Sequence, residues 1–420
     1  MMVAVMTPPL FFFRQQALPN CLQGASFGKM HTMTISNVSS PSVSFEGLGL
    51  APALLAALES AGHKRPSLIQ ARAIPPLLKG KDVLIASQTG SGKTAAFVLP
   101  LLQALARRKE EGLETQGPWA LILEPTRELA AQAASVCRQL GRRLPLKTRV
   151  ICGGTPRDQQ LRGLADGVDI IVATHGRLLD LVVQGDLVID QIGYLVLDEA
   201  DRLLDDEFTD SMTALSTHFP DIQPQTVFCS ATLPAPVMDL AKRVTQDPVR
   251  IELETEDAAP QRIRQRAMFV LKDDKVPTIK HVLNHFTGRT MVFVQTKQGA
   301  ETLGRSLSRS GVSVETLHGD RTQGARARAL TRFREGQVQV LVTTDIAARG
   351  IDIPDVECVI NADMPSSVPA YIHRIGRTAR AGKRGIALSL LDPQERHLLR
   401  DVEKETGQRV RIVTEETLDR

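Results

Sequence analysis

Residues 82–108 read DVLIASQTGSGKTAAFVLPLLQALARR. A short apolar, β-branched run, DVLIAS (82–87), stops at a Gly-rich turn, and a long amphipathic stretch follows. That order predicts a buried strand, a tight loop and a helix. Glycines let a backbone wrap closely around phosphates, while loop amides and a helix N-terminus supply fixed positive potential. Within Ser87-Gln88-Thr89-Gly90-Ser91-Gly92-Lys93-Thr94, Lys93 is placed to reach the β- and γ-phosphates of a nucleotide. Thr94 would set its hydroxyl on Mg2+. The strict G-x4-GK[ST] pattern is broken at one place, where Ser87 stands instead of the first glycine.

The same texture runs outward from this point. WALILE (119–124), TRVICG (148–153), DIIVAT (169–174), YLVLDE (194–199) and TVFCSAT (226–232) are further apolar runs separated by helix-length segments. They read as parallel strands buried on both faces of a doubly wound sheet. A polar, acidic stretch, ELETEDAAPQR (252–262), interrupts the pattern as a linker would. It restarts with TMVFVQT (290–296), VSVETLHG (312–319), VQVLVTTD (338–345), VECVINAD (356–363) and GIALSLLD (385–392). Two tandem α/β domains are expected, at 45–252 and 263–408, joined by 253–262 and followed by a tail, 409–420. Ligands should bind beyond the C-terminal ends of their strands.

The 420 residues are 42% apolar and 23% charged. No apolar run approaches the ~18 residues of a spanning helix, which excludes an integral membrane protein of that kind. Net charge is +2 over residues 1–45, −6 over 46–260 and +8 over 261–420, so the second half suits a polyanionic partner. Cys21, Cys137, Cys152, Cys229 and Cys358 are scattered and never paired as CxxC. That argues against a disulfide scaffold or zinc ribbon and for a reducing compartment. Residues 1–44 hold no acid and only Arg14 and Lys29 as bases. They read as a disordered tail, or as a transit-like segment that would move the protein from the cytoplasm to an organelle matrix.

A phosphate cradle needs a metal ligand and a water activator before it can hydrolyse anything. Asp198-Glu199-Ala200-Asp201 follows the run YLVL, so its carboxylates emerge at the same sheet edge as the Gly-rich loop. Asp198 is the natural Mg2+ partner, and Glu199 is placed to orient and deprotonate the attacking water.

Over residues 45–405 the chain resembles the DEAD-box ATP-dependent RNA helicases. The resemblance rests on GSGKT, on Asp198 to Asp201, on Pro125-Thr126-Arg127-Glu128-Leu129-Ala130, Gly153-Gly154, Thr174-His175-Gly176-Arg177 and Ser230-Ala231-Thr232. In the second half it rests on VFVQT (292–296), Gln323 with Arg326, Thr344 to Asp352, and His373-Arg374-Ile375-Gly376-Arg377-Thr378-Ala379-Arg380. It implies two RecA-like domains that close on ATP and single-stranded RNA together, in a monomer.

The resemblance also implies roles. Gln70, in the block Gly62 to Gln70, would read adenine with its amide, though it could also merely cap a helix. Phe45 would pack against the base, and Asp352 would hold the ribose. Arg377 and Arg380 would be arginine fingers that neutralise charge on the departing γ-phosphoryl. Asp201, Ser230, Thr232 and His373 would couple the nucleotide to the RNA. Arg127, Gly154, Thr174, Gly176 and Arg177, with Thr296, Arg326, Thr343 and Gly350, would grip sugar-phosphate, which carries little sequence information. His63, Leu68 and His175 depart from the family's usual residues. The expected activity is RNA-stimulated ATP hydrolysis with local separation of short duplexes or remodelling of ribonucleoprotein; the alternative is an ATP-gated RNA clamp.

Overall fold

The computed structural model describes residues 32–35, 43–87, 90–113, 117–204, 206–220, 222–231, 233–253, 263–348, 353, 356–365, 367–379 and 385–417. The chain divides into two units, Met1–Leu253 and Glu254–Arg420.

In the first unit the apolar runs form β1 (Thr32–Ile35), β2 (Val83–Ala86), β3 (Ala120–Leu123), β4 (Thr148–Ile151), β5 (Ile170–Ala173), β6 (Tyr194–Leu197), β7 (Gln225–Ser230) and β8 (Val249–Leu253). They make one sheet in the order β1-β8-β2-β7-β6-β3-β5-β4. Every pairing is parallel. β2, β3, β5 and β6 are buried at every position, as strands covered on both faces must be. Their side chains alternate between two cores. Ile85, Ile122, Val172 and Val196 join the core that includes Phe97 and Leu101 of the helix Lys93–Glu110. Leu84, Leu121, Ile171 and Leu195 join the opposite one.

The second unit holds β9 (Ile263–Phe269), β10 (Arg289–Val294), β11 (Val314–Leu317), β12 (Val340–Thr344), β13 (Val356–Asn361), β14 (Gly385–Leu391) and β15 (Arg411–Ile412). Their order is β11-β12-β10-β13-β14-β9-β15, again all parallel.

Four strands depart from the sequence expectation. β1 lies inside the segment expected to be a disordered tail, where Thr32-Met33-Thr34-Ile35 aligns with Arg250 to Leu253 of β8; its β-branched residues suit an edge strand. β15 lies in the expected C-terminal tail, held by buried Val410 and Val413 on either side. β8 and β9 interleave Arg, Gln and Glu with apolar residues, so neither reads as a continuous apolar run. In β9 both Gln265 and Arg266 are buried. Leu253 ends β8 rather than opening a linker.

Candidate nucleotide and RNA site

The Gly-rich loop leaves β2 at Ala86 and re-enters regular structure at Lys93, the first residue of an 18-residue helix. Gly90 and Gly92 have φ of 84° and 93°, a region open to glycine at little cost. At Gly92 a Cβ would also lie 2.6 Å from Gln70 Nε2, so a side chain there would displace the Gln70 amide. Ser87 and Ser91 share a hydroxyl hydrogen bond of 2.7 Å, so the serine at the departed glycine position ties the loop to itself. Lys93 is buried, and its Nζ donates to the carbonyls of Ser87 and Ser230. Gln88 and Thr89 lie outside the described residues.

Gln70 is both a helix cap and a loop anchor. Its carbonyl accepts from Ser67 N at 2.9 Å, completing a capping box with the Ser67 hydroxyl. Its Nε2 donates to Gly92 O at 3.2 Å. One donor and one lone pair of the amide stay available to a base. Phe45 is 4% exposed, folded into the first core with Leu48 and Leu50, which leaves little of its ring for stacking on adenine.

Asp198 and Glu199 emerge from β6 beside this loop, both buried. Glu199 has φ 51°, a left-handed conformation that costs a side-chain-bearing residue about 1–2 kcal/mol. Two contacts hold it there. Its N–H donates to Asp198 Oδ1 at 2.8 Å, and its carboxylate pairs with Arg202 at 2.6 Å. Ser230 Oγ accepts from Asp201 N at 3.3 Å, joining β7 to the acidic turn. Burial pushes the Asp198 carboxyl up to about 6; nearby Lys93 pulls it down, and Glu199 adds to the rise. Glu124, one residue past β3, is buried in the same place. Burial first, then Asp198 and Glu199, hold its carboxyl well above the ordinary carboxylate range. In the sequence Glu124 is marked only as an acid closing an otherwise apolar run.

The residues expected to grip RNA in this unit gather at the ends of β3, β4 and β5. Arg127 opens the helix Arg127–Leu140, capped by Thr126. Its guanidinium lies over Gly153 and Gly154, close enough that a Cβ on Gly154 would overlap it. Gly154 itself has φ 77°. Thr174 caps the helix His175–Val183 in position, and Arg177 donates to Thr155 O at 3.2 Å. Gly176 lies in the first turn of that helix. His175 bonds Ser211 Oγ at 3.0 Å and meets the Phe208 ring edge-on at 5.6 Å, so it secures the helix Asp206–Leu215. Thr232 lies outside the described residues.

In the second unit Thr296 caps the helix Lys297–Arg309, accepting from Gly299 N at 2.9 Å. Arg326 donates to His318 O at 3.2 Å. Thr343 corrects the expectation: it is fully buried within β12, and its hydroxyl donates to Thr344 O, so it offers nothing to a sugar-phosphate chain. His373 is half-buried in the helix Val368–Ile375, and Arg377 just beyond it is buried. Gly350, Asp352 and Arg380 lie outside the described residues. Arg374, to which sequence reasoning gave no role, is 1% exposed. It forks onto Asp345 at 2.6 and 2.7 Å and donates to Asp363 O at 2.6 Å.

A DEAD/DEAH box helicase domain matches residues 67–240, and a helicase conserved C-terminal domain matches 274–382. The DEAD-box ATP-dependent RNA helicase CshA of Bacillus cereus is 38% identical over 376 residues, 89% of this chain and 70% of that protein. The chain belongs to the DEAD-box ATP-dependent RNA helicase family. This DEAD-box helicase is also 41% identical to the ATP-dependent RNA helicase RhlB of Xanthomonas oryzae, over 90% of this chain and 67% of that one. Among solved structures it resembles S. cerevisiae Dbp5 bound to RNA and ADP BeF3, with TM-score 0.79 and 33% identity over 90% of this chain and 97% of that chain. The fold is thus that of tandem RecA-like domains. The helicase has no helix, among its described residues, long and apolar enough to cross a membrane.

Proposed function

We propose that this helicase hydrolyses Mg2+-ATP when single-stranded RNA is bound, and uses the cycle to separate short duplexes locally or to remodel ribonucleoprotein. One observation carries the reading. Lys93, Asp198, Glu199 and Ser230 converge at the C-terminal ends of β2, β6 and β7, and Arg127, Gly154, Thr174 and Arg177 gather at the same edge of the same sheet. The acidic turn that serves the nucleotide is thereby bonded, through Asp201 and Ser230, to the sheet that presents the RNA residues.

The residues suit a divalent cation. Asp198 lies within electrostatic reach of Glu199, Glu124 and Asp201, and an oxygen of Glu124 and one of Asp201 are buried without a partner. No three such groups among the described residues are placed to chelate an ion by themselves, which suits an ion that keeps waters and phosphate oxygens. Asp198 and the Thr94 hydroxyl would hold the metal, which would neutralise phosphate charge. Lys93 would exchange its carbonyl contacts for the β- and γ-phosphates. Glu199 would orient and deprotonate water, held in its left-handed turn by Arg202. Gln70 would read adenine with the donor and lone pair it has left. We assign Arg377 and Arg380 to the charge on the γ-phosphoryl, Asp352 to the ribose, and His373 to coupling. Thr296, Arg326 and Gly350 are assigned to the RNA backbone. Cys137, Cys152, Cys229 and Cys358 are buried and unpaired, and burial raises each thiol. Such thiols suit a reducing compartment, and we assign the cytoplasm.

A strand-displacement assay on a short RNA duplex tests the proposal. ATP should release the strand, and a non-hydrolysable analogue should not sustain release. Glu199→Gln should abolish turnover yet retain RNA in the presence of ATP. Hydrolysis surviving in Glu199→Gln would show the water activator to be another group.

A further inference from the structure

Glu124 is a carboxyl group that the roles above leave unused. Its backbone N–H continues the parallel ladder beyond β3, donating to Ala173 O at 2.9 Å, while Asp198 N donates to Leu123 O at 3.1 Å. Leu123 and Leu197 are register partners, so Glu124 and Asp198 are the next residues of two adjacent strands. Ile122 and Val196, two residues earlier, face the core that contains the Lys93 helix. Glu124 and Asp198 therefore project to that same face, beneath the phosphate loop.

The side chain is 1% exposed, and its Oε2 is buried with no hydrogen-bond partner. No basic group among the described residues pairs with it. An orphaned buried acceptor carries a desolvation cost of about 1–3 kcal/mol, and a strand of Ala, Leu and Ile has no structural demand for an acid at its end. A donor that arrives with the nucleotide would satisfy that oxygen. Mg2+ keeps several of its waters when it binds through one or two carboxylates and phosphates, and those waters are donors.

We propose that Glu124 is a positioning residue of the metal site, its Oε2 accepting a hydrogen bond from a water on the Mg2+ ion that Asp198 holds. The inference rests on the proposed role of Asp198. Glu124 fixes the orientation of the ion's water shell, so the nucleotide binds better with metal than without it.

Equilibrium binding of a fluorescent ADP to the full chain, titrated with MgCl2, tests this without relying on turnover. Loss of an outer-shell partner costs about 10–100-fold in metal affinity. Glu124→Ala should raise the Mg2+ concentration for half-maximal enhancement of ADP binding by about that factor, with metal-free ADP affinity no weaker than wild type. Glu124→Gln keeps the shape and one acceptor but cannot ionise when the ion arrives, so its shift should be smaller and in the same direction; it carries the test if the alanine variant fails to fold. An unchanged Mg2+ midpoint in a folded Glu124→Gln variant would overturn the proposal. So would equal weakening of metal-free and metal-bound ADP in either variant. Asp198→Asn in parallel should abolish the Mg2+ enhancement; if it does not, the metal role of Asp198 fails, a result distinct from silence at Glu124.

Discussion

Arg374→Met removes a buried guanidinium while filling much the same space. In the native protein Arg374 makes a two-pronged contact with Asp345, donates to Asp363 O and to Asn361 Oδ1 (3.3 Å), and lies 5.2 Å over the Phe293 ring. Breaking a buried pair from one side costs about 3–5 kcal/mol, because the other charge is left without compensation. Asp345 keeps 26% of its side-chain surface, so water recovers part of that charge and the low end, about 3 kcal/mol, applies. The lost cation–π contact adds about 0.5–1 kcal/mol. Urea unfolding followed by far-UV circular dichroism should show the loss. Adding Asp345→Asn to Arg374→Met should restore more than about 1 kcal/mol by removing the stranded charge. A loss below about 1 kcal/mol, or no recovery in the double variant, would show that the Arg374–Asp345 pair does not hold this core together.

Three further outcomes follow from the same geometry. Gly92→Ala should cost about 1–2 kcal/mol for positive φ and about 1 kcal/mol more for displacing the Gln70 amide, and fluorescent ADP binding should weaken with it. The Asp198 carboxyl is raised from its ordinary 3.8 to about 6, so its contribution to stability is fully present below 3.8 and is lost as pH rises through about 6. At pH 7.5 without metal, Asp198→Asn should therefore stabilise the protein by up to about 3 kcal/mol and by less at pH 5; destabilisation at pH 7.5 in urea titrations would contradict the burial argument. His175→Ala loses the Ser211 hydrogen bond and the Phe208 edge contact, worth about 0.5–1.5 kcal/mol each, and hydrogen exchange in Asp206–Leu215 should rise.

Much of this architecture was legible because burial on both faces leaves little choice of residue. VLIA, ALIL, IIVA and YLVL can hardly be anything but interior strands, and their order with helix-length spacers implies parallel pairing. β8 and β9 were not legible, because their Arg, Gln and Glu residues break the run while their neighbours still bury them. At the site, residue type failed to indicate exposure. Lys93 and Asp198 stand where the motif suggested, whereas Thr343 is enclosed in β12 and Phe45 in the first core. Gln70 satisfies both readings at once, since a single amide caps a helix and braces Gly92. Within His373 to Arg380 the sequence carries no sign that Arg374 is buried. Only the position of Asp345, 29 residues earlier, makes Arg374 a core residue.

If the proposed site works as assigned, RNA licenses ATP hydrolysis by Lys93, Asp198 and Glu199. Steady-state phosphate release by the full chain, measured against increasing single-stranded RNA, addresses it most directly. The rate should rise saturably with RNA, and Lys93→Ala and Glu199→Gln should abolish the rise; equal rates with and without RNA would rule out an RNA-gated site.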